Sequence, residues 1–423
     1  MIHKKFILID ILKKKIEKKI GKKVTNRRDC ELISDVILET LEEEISYSTI
    51  RRLYGLDNET KPNNKTLNTL AKFVGYNNYA HFIQTYNIES DNNFNFQVFK
   101  VIFKMDHQEI IKLVKTTKKS EKNFSDFIIV LVRELFHNKN YYLLNKIFQL
   151  DEMKYNTFSY SEILYIGNSI GLLIKTSNKI DNLLLSNVNF IECVFLTFVD
   201  YSGINNYYGK AAKIISVNHK NKEIKLFAIA LLEFKNFLNK KKVSVVKLDL
   251  VYSNKLHPIL CGRLIALYIF KDKNLNNELI ITNYLKFNSK KTNLIDYYYE
   301  LFVAAILTKN RFLMSSLISK IDLKSKTLFL YQKFHLNIFY LMCLFFYKLE
   351  NNKSEEIRFS QLYIEDNCTI GYLDFIKALH LIYLYADEKQ AIKKQQIEND
   401  YLQLIKDFNY PYLNYNFLIN YFK

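Results

Sequence analysis

The chain has 423 residues, 49% of them hydrophobic and 25% charged, which is enough apolar side chain for a sizeable core and excludes wholesale disorder. Only 9 Gly and 3 Pro are present, too few turn formers for a β-sandwich or barrel and with no Gly-rich phosphate loop among them, so the composition predicts helices joined by Asn/Lys/Ser turns and excludes the commonest nucleotide-binding routes. The net charge of +18 invites a nucleic-acid partner, but 53 of the 61 cations are Lys, in a chain also rich in Asn, Ile, Tyr and Phe, whose codons are all A/T-rich.

Arg is therefore the more informative cation, being favoured where a planar bidentate donor is needed. Four of the eight arginines, Arg27, Arg28, Arg51 and Arg52, lie within one short stretch. At about 100–200 residues per domain, the length allows two to four domains, or one small domain and an extended array.

At the start, Phe6–Ile9 is too short an apolar run for a signal-peptide core. Leu8, Ile11, Leu12, Ile16 and Ile20 recur at helical spacing and stop at Gly21, a C-terminal cap. Lys13, Lys14, Lys15, Lys18 and Lys19 fall on the opposite face. The run Lys13–Lys23 reads either as a sequence-blind contact along a DNA backbone or as a solvated face. A second helix starts near Asn26, with Asp29 in its first turn, and runs through Ile33, Val36, Ile37 and Leu41. Ser46 is a good N-cap for a short third helix with Ile50 and Leu53 inward and Gly55 at its end. After a loop containing Pro62, Leu67, Leu70, Ala71 and Val74 mark a fourth helix ending at Gly75, and Tyr79, Phe82 and Ile83 a fifth.

The stretch Ile45-Ser-Tyr-Ser-Thr-Ile-Arg-Arg-Leu-Tyr-Gly55, followed by Lys61-Pro-Asn-Asn-Lys-Thr-Leu-Asn-Thr-Leu-Ala-Lys-Phe-Val-Gly-Tyr76, resembles the Cro/repressor-type helix-turn-helix family. The resemblance covers about residues 5 to 86, one-fifth of the chain. The acidic turn Glu42-Glu43-Glu44 and the long helix before it depart from the family's pattern. The resemblance implies that the third helix enters the major groove N-terminus first. With Ile50 and Leu53 turned inward, Tyr47, Ser48, Arg51 and Arg52 are left on or beside the outer face. Ser46, Ser48 and Thr49 would offer short hydroxyls to phosphates or base edges, and an Arg one turn later a fork to guanine. Lys61, Asn63, Asn64 and Lys65 precede a helix whose free N–H groups suit a phosphate, and Arg27 and Arg28 hold the same kind of position on the second helix. The alternative is an ordinary small helical bundle with solvated charges.

Residues 87–97 are polar, Asn-rich and without period, which reads as a linker or loose turn. Beyond them, an apolar or aromatic helix end followed by an Asn/Lys-rich turn recurs near Phe136, Leu173, Tyr201, Phe237, Phe270, Leu307, Tyr347 and Tyr385. A spacing of about 34–40 residues is that of tetratricopeptide-like and HEAT-like arrays. Such pairs bury their apolar faces only by stacking on neighbours, which predicts a superhelix with a concave groove and few sequence-distant contacts. The tetratricopeptide consensus itself is absent, with Ala211-Ala212 and Ala304-Ala305 as faint echoes, and an irregular all-α domain is the alternative.

The longest apolar run, Ile338–Tyr347, falls short of the ~20 residues that span a bilayer. Cys30, Cys193, Cys261, Cys343 and Cys368 are scattered through apolar runs and read as buried, reduced thiols. No two of the eight histidines are spaced as i, i+4, and the acidic pairs Glu355-Glu356 and Asp387-Glu388 suit capping, so no catalytic constellation emerges.

The fold expected is all-α: a helix-turn-helix bundle over 1–86, a linker over 87–97, and an α-solenoid of helix pairs over 98–423. The combination resembles cytosolic peptide-sensing regulators and implies a cytoplasmic DNA-binding transcriptional regulator, not an enzyme, with no cofactor or metal. Its partners would be double-stranded DNA, a peptide, protein or small ligand in the groove, and a second copy of the chain in a homodimer, with no membrane. A helical-repeat adaptor without DNA binding is the alternative.

Overall fold

The computed structural model describes residues 2–58, 62–104, 106–120, 124–252, 256–272, 276–291, 294–321 and 330–423. Among the described residues the regular elements are all helical and no strand occurs. The chain divides into two compact units, Met1–Ile110 and Ile111–Lys423.

The first unit contains α1 (Ile2–Ile20), α2 (Arg27–Leu41), α3 (Tyr47–Leu53), α4 (Asn64–Phe73) and α5 (Tyr79–Lys104). Leu12, Ile16, Ile33, Ile37, Ile50, Leu67, Leu70 and Phe82 form its buried core. Gly21, Gly55 and Gly75 take left-handed φ values of 76°, 71° and 96°, where a side chain would cost about 1–2 kcal/mol. At α4 the N–H of Gly75 donates to Lys72 O at 2.9 Å and that of Tyr76 to Ala71 O at 3.0 Å, the paired bonds that close a helix in the Schellman manner. Gly55 and Leu56 close α3 in the same way, on Arg52 and Arg51.

The lysines of α1 do not form one solvated face. Lys15 donates to the Tyr76 hydroxyl at 2.6 Å, and Lys19 donates to the Phe73 carbonyl while lying 4.6 Å above that ring. Both sit at the C-terminal end of α4, where unpaired carbonyls and the helix dipole favour cations. Lys14 and Lys18 are exposed.

Residues 87–97 are not a loose turn, because α5 runs through them. The stretch is polar but holds neither Gly nor Pro. Asn costs only a fraction of a kcal/mol per residue in a helix, so nothing local ends it. The division between units falls later, at Ile110/Ile111.

In the second unit Phe136, Phe237, Phe270, Leu307, Tyr347 and Tyr385 lie in the last turns of helices that end at His137, Leu238, Lys271, Thr308, Leu349 and Asp387. Tyr201 ends no helix; it lies in an irregular turn after a π-helix over Ile191–Phe195. Four of the turns share one construction. Lys139, Lys240, Lys309 and Asn351 adopt φ of 53–54°, and the next residue's N–H returns to a carbonyl five residues back, as Asn140 does to Leu135 at 2.8 Å and Asn310 to Ala305 at 3.1 Å. Asn140, Asn310 and Asn352 then cap the following helix, accepting from Leu143, Leu313 and Glu355. One Lys-Asn or Asn-Asn pair thus ends one helix and begins the next.

Helices Lys222–Leu238, Pro258–Lys271, Leu294–Thr308, Leu330–Leu349 and Leu373–Asp387 pack each on the next in chain order. Sequence-distant contacts are nonetheless numerous, contrary to the expectation for an array that touches only its neighbours. Lys175 pairs with Asp374 at 2.5 Å, Tyr410 donates to Tyr201 O at 2.5 Å, and the Tyr412 N–H reaches Leu238 O at 3.0 Å. The closing residues of the chain are anchored on the earlier part of this unit, because their tyrosines carry hydroxyls that satisfy carbonyls left open there.

Candidate nucleic-acid interface

The first turn of α2 is locked by a reciprocal capping box. Asn26 Oδ1 accepts from the Asp29 N–H at 3.1 Å, and Asp29 Oδ2 accepts from the N–H groups of Thr25 and Asn26 at 2.9 and 3.1 Å. Lys22 adds an ion pair to Asp29 at 2.5 Å. The Lys22 bond, and after it the Thr25 N–H, pull the Asp29 carboxyl down to about 2. The two arginines that follow the cap, Arg27 and Arg28, are both exposed.

The turn from α2 to α3 is held on both sides. Glu42 takes a left-handed φ of 57°, and Ser34 Oγ donates to Ile45 O at 2.6 Å. Glu43 accepts from Lys72 at 2.6 Å and from the Thr69 hydroxyl, so the acidic turn Glu42-Glu43-Glu44 ties α3's approach to α4. Lys72 first, then Thr69, lowers the Glu43 carboxyl below its ordinary value.

Ser46 caps α3 by accepting from the Thr49 N–H at 3.4 Å. Ile50 and Leu53 are buried, as the spacing predicts. Ser46 is exposed, and Tyr47, Ser48, Thr49, Arg51 and Arg52 are partly exposed. Most of their polar groups are already engaged. Ser46 Oγ lies 3.0 Å from Ser48 Oγ and 2.9 Å from Thr49 Oγ1. Arg52 turns back along its own helix, donating to Ser48 O at 3.2 Å and to Ser48 Oγ at 3.5 Å. Arg51 leans toward the following loop, 3.4 Å from Leu56 O and 3.7 Å from Asp57. Asn63 caps α4 by accepting from the Thr66 N–H at 2.8 Å; Asn64 and Lys65 are exposed beside it. Lys61 lies outside the described residues.

One pairing has no signature in the sequence. The Arg27 guanidinium stands 4.9 Å over the Tyr47 ring and donates to Glu31 at 2.7 Å. The Glu31 bond is the main cause that raises its pKa. Arg27 and Tyr47 are twenty positions apart and on different helices, so no local spacing rule joins them. The structure thereby gathers the start of α2 and the start of α3 into one place.

A second polar cluster lies inside the other unit. Arg263 Nη2 donates to Glu300 Oε1 at 2.5 Å and to the Tyr372 hydroxyl at 3.1 Å, and Tyr201 donates to Glu300. Asp296 lies 3.1 Å from His335 and 3.2 Å from Gln332, and His335 stacks on Tyr299 at 3.8 Å. A lone Arg in the apolar run Pro258–Lys271 was the signal available for the first of these. All five cysteines are buried and free; burial pushes the Cys193 thiol up to about 12 and the Cys261 thiol to about 11. Among the described residues no group of three or more His, Cys, Asp or Glu could hold a metal ion, and no helix is long and apolar enough to cross a membrane.

No protein-family model, curated protein or solved structure matches the chain.

Proposed function

We propose that the first unit binds double-stranded DNA through the starts of α2, α3 and α4, and that the chain is a transcriptional regulator. In this reading the second unit, whose long helices pack each on the next, receives a peptide, protein or small ligand and sets the oligomeric state. The observation that carries the reading is the construction of α2, its turn and α3. A capped helix and a pinned turn lead to a short helix that is apolar on one side, hydroxyl- and arginine-bearing on the other, and stopped by a left-handed Gly55. Such a construction suits a helix-turn-helix, whose second helix enters the major groove. Arg28 at the start of α2 and Asn64 and Lys65 at the start of α4 are exposed and would supply the phosphate contacts that fix register and orientation.

The engagement of Arg51 and Arg52 with their own unit favours the second reading, an adaptor without DNA binding. A gel-shift series on random-sequence duplex at rising salt separates the two. The regulator binds at low salt and weakens log-linearly as salt rises, with a slope of about 0.9 per phosphate contacted. An adaptor with a net charge of +18 shifts duplex at most at low salt and loses all binding as salt rises, whereas the regulator keeps a sequence-preferring remainder.

A further inference from the structure

Four hydroxyls stand at the start of α3, and three of them are spent. Ser46 bonds both Ser48 and Thr49, and Ser48 also accepts from Arg52. The Tyr47 hydroxyl makes no hydrogen bond among the described residues, and the ring carrying it is only partly covered. The cations divide in the same way. Arg51 is held toward Asp57, Arg52 toward Ser48, and Arg27 is neutralised by Glu31. Arg28, adjacent to Arg27 and exposed, pairs with no carboxylate among the described residues.

From this division we infer that Tyr47 is the specificity-determining side chain of the interface, that Arg27 positions it without touching DNA, and that Arg28 is a phosphate contact. The inference rests on the DNA-binding reading above. A tyrosine has only two side-chain torsions, so a planar cation stacked on its ring fixes the direction of the hydroxyl at small entropic cost. Held there, the hydroxyl can donate to an acceptor on a base edge or accept from an amino group, and the ring edge can lie against a thymine methyl. Glu31 fixes the guanidinium by its bond to Nε. An arginine already paired with a carboxylate displaces few counterions, so it adds little to the salt dependence of binding.

Counterion release therefore separates a positioning arginine from a contacting one. The probes are the duplex most enriched from a random 20-base-pair library by the full chain, and a shuffled duplex of the same composition, in fluorescence anisotropy at several salt concentrations. Arg27→Gln and Tyr47→Ala are each expected to lower the ratio of affinities for the two duplexes by about tenfold and to leave the slope of log K against log salt unchanged. Arg28→Gln is expected to weaken both duplexes alike and to flatten the slope by about 0.9. Circular dichroism of each variant checks that its helices are retained. A flattened slope in Arg27→Gln would overturn the positioning role. Full preference retained in Tyr47→Ala would overturn the specificity role while the DNA-binding reading stands. A wild-type chain that enriches no duplex sinks both.

Discussion

Replacing Glu300 by Leu should destabilise the second unit far more than replacing Glu300 and Arg263 together by apolar residues. Both side chains are about 3% exposed, and Glu300 is the carboxylate within reach of the guanidinium. Only Nη2 of Arg263 has hydrogen-bond acceptors; Nε and Nη1 have none, and the guanidinium faces the rings of Phe227 at 4.8 Å and Tyr201 at 5.8 Å. Glu300→Leu leaves a buried cation without its counter-charge, a loss of about 3–5 kcal/mol. Tyr201 and Tyr372 also lose an acceptor. At a urea dependence of about 3 kcal/mol per M, the midpoint of unfolding falls by roughly 1–1.7 M. The pair Arg263→Met/Glu300→Leu removes the stranded charge and leaves chiefly the two hydroxyls unmet, so it recovers at least about 2 kcal/mol of that loss. Urea titrations of the full chain followed by circular dichroism read both values. A double variant as unstable as Glu300→Leu would refute the reasoning, because the cost would then lie in packing and not in the uncompensated charge.

Three further outcomes are expected. The folded Asp29 carboxyl lies near 2, below its unfolded value of about 3.9, so its stabilisation is complete above that value and is lost as pH falls toward 2; Asp29→Asn should flatten the acid limb of the first unit's stability between about pH 4 and 2 in a pH series of thermal melts. Lys139 is exposed at a left-handed φ of 54°, so Lys139→Gly should stabilise by up to about 1 kcal/mol, the gain being reduced by the greater freedom of Gly in the unfolded chain; a lowered melting temperature would contradict this. A Cβ on Gly171 would run into the Phe198 ring, so Gly171→Ala should cost about 1–3 kcal/mol or more, read as a drop in the urea midpoint.

Local chemistry was the legible part of this chain. Gly21, Gly55 and Gly75 end helices where a following residue at positive φ is needed, and Asn26, Ser46 and Asn63 begin them. Six of the eight punctuated ends fall in the last turn of a helix of the second unit, since an Asn that caps the next helix is a strong local signal. The positive-φ Lys beside it is no such signal, because Lys rarely takes that conformation. What stayed hidden is set by contacts between distant segments. Nothing in the spacing of Arg27 and Tyr47 announces their stack, and nothing in Tyr410-Pro-Tyr412 announces that these tyrosines bond back to Tyr201 and Leu307. Lys15 and Lys19 read as solvated or DNA-facing charges until α4 brings its open C-terminus under them. The polar stretch 87–97 misled for a related reason: Asn is a weak helix former but not a helix breaker.

The central claim is that the chain recognises a DNA sequence, and the direct measurement is selection by the full chain from a random duplex library at about 0.15 M salt, where non-specific phosphate binding is weakened. An enriched motif is expected, repeated as inverted half-sites about one helical turn apart if the chain acts as a homodimer. Bound pools with the base composition and sequence statistics of the starting library, from a chain whose helices are intact by circular dichroism, would contradict it.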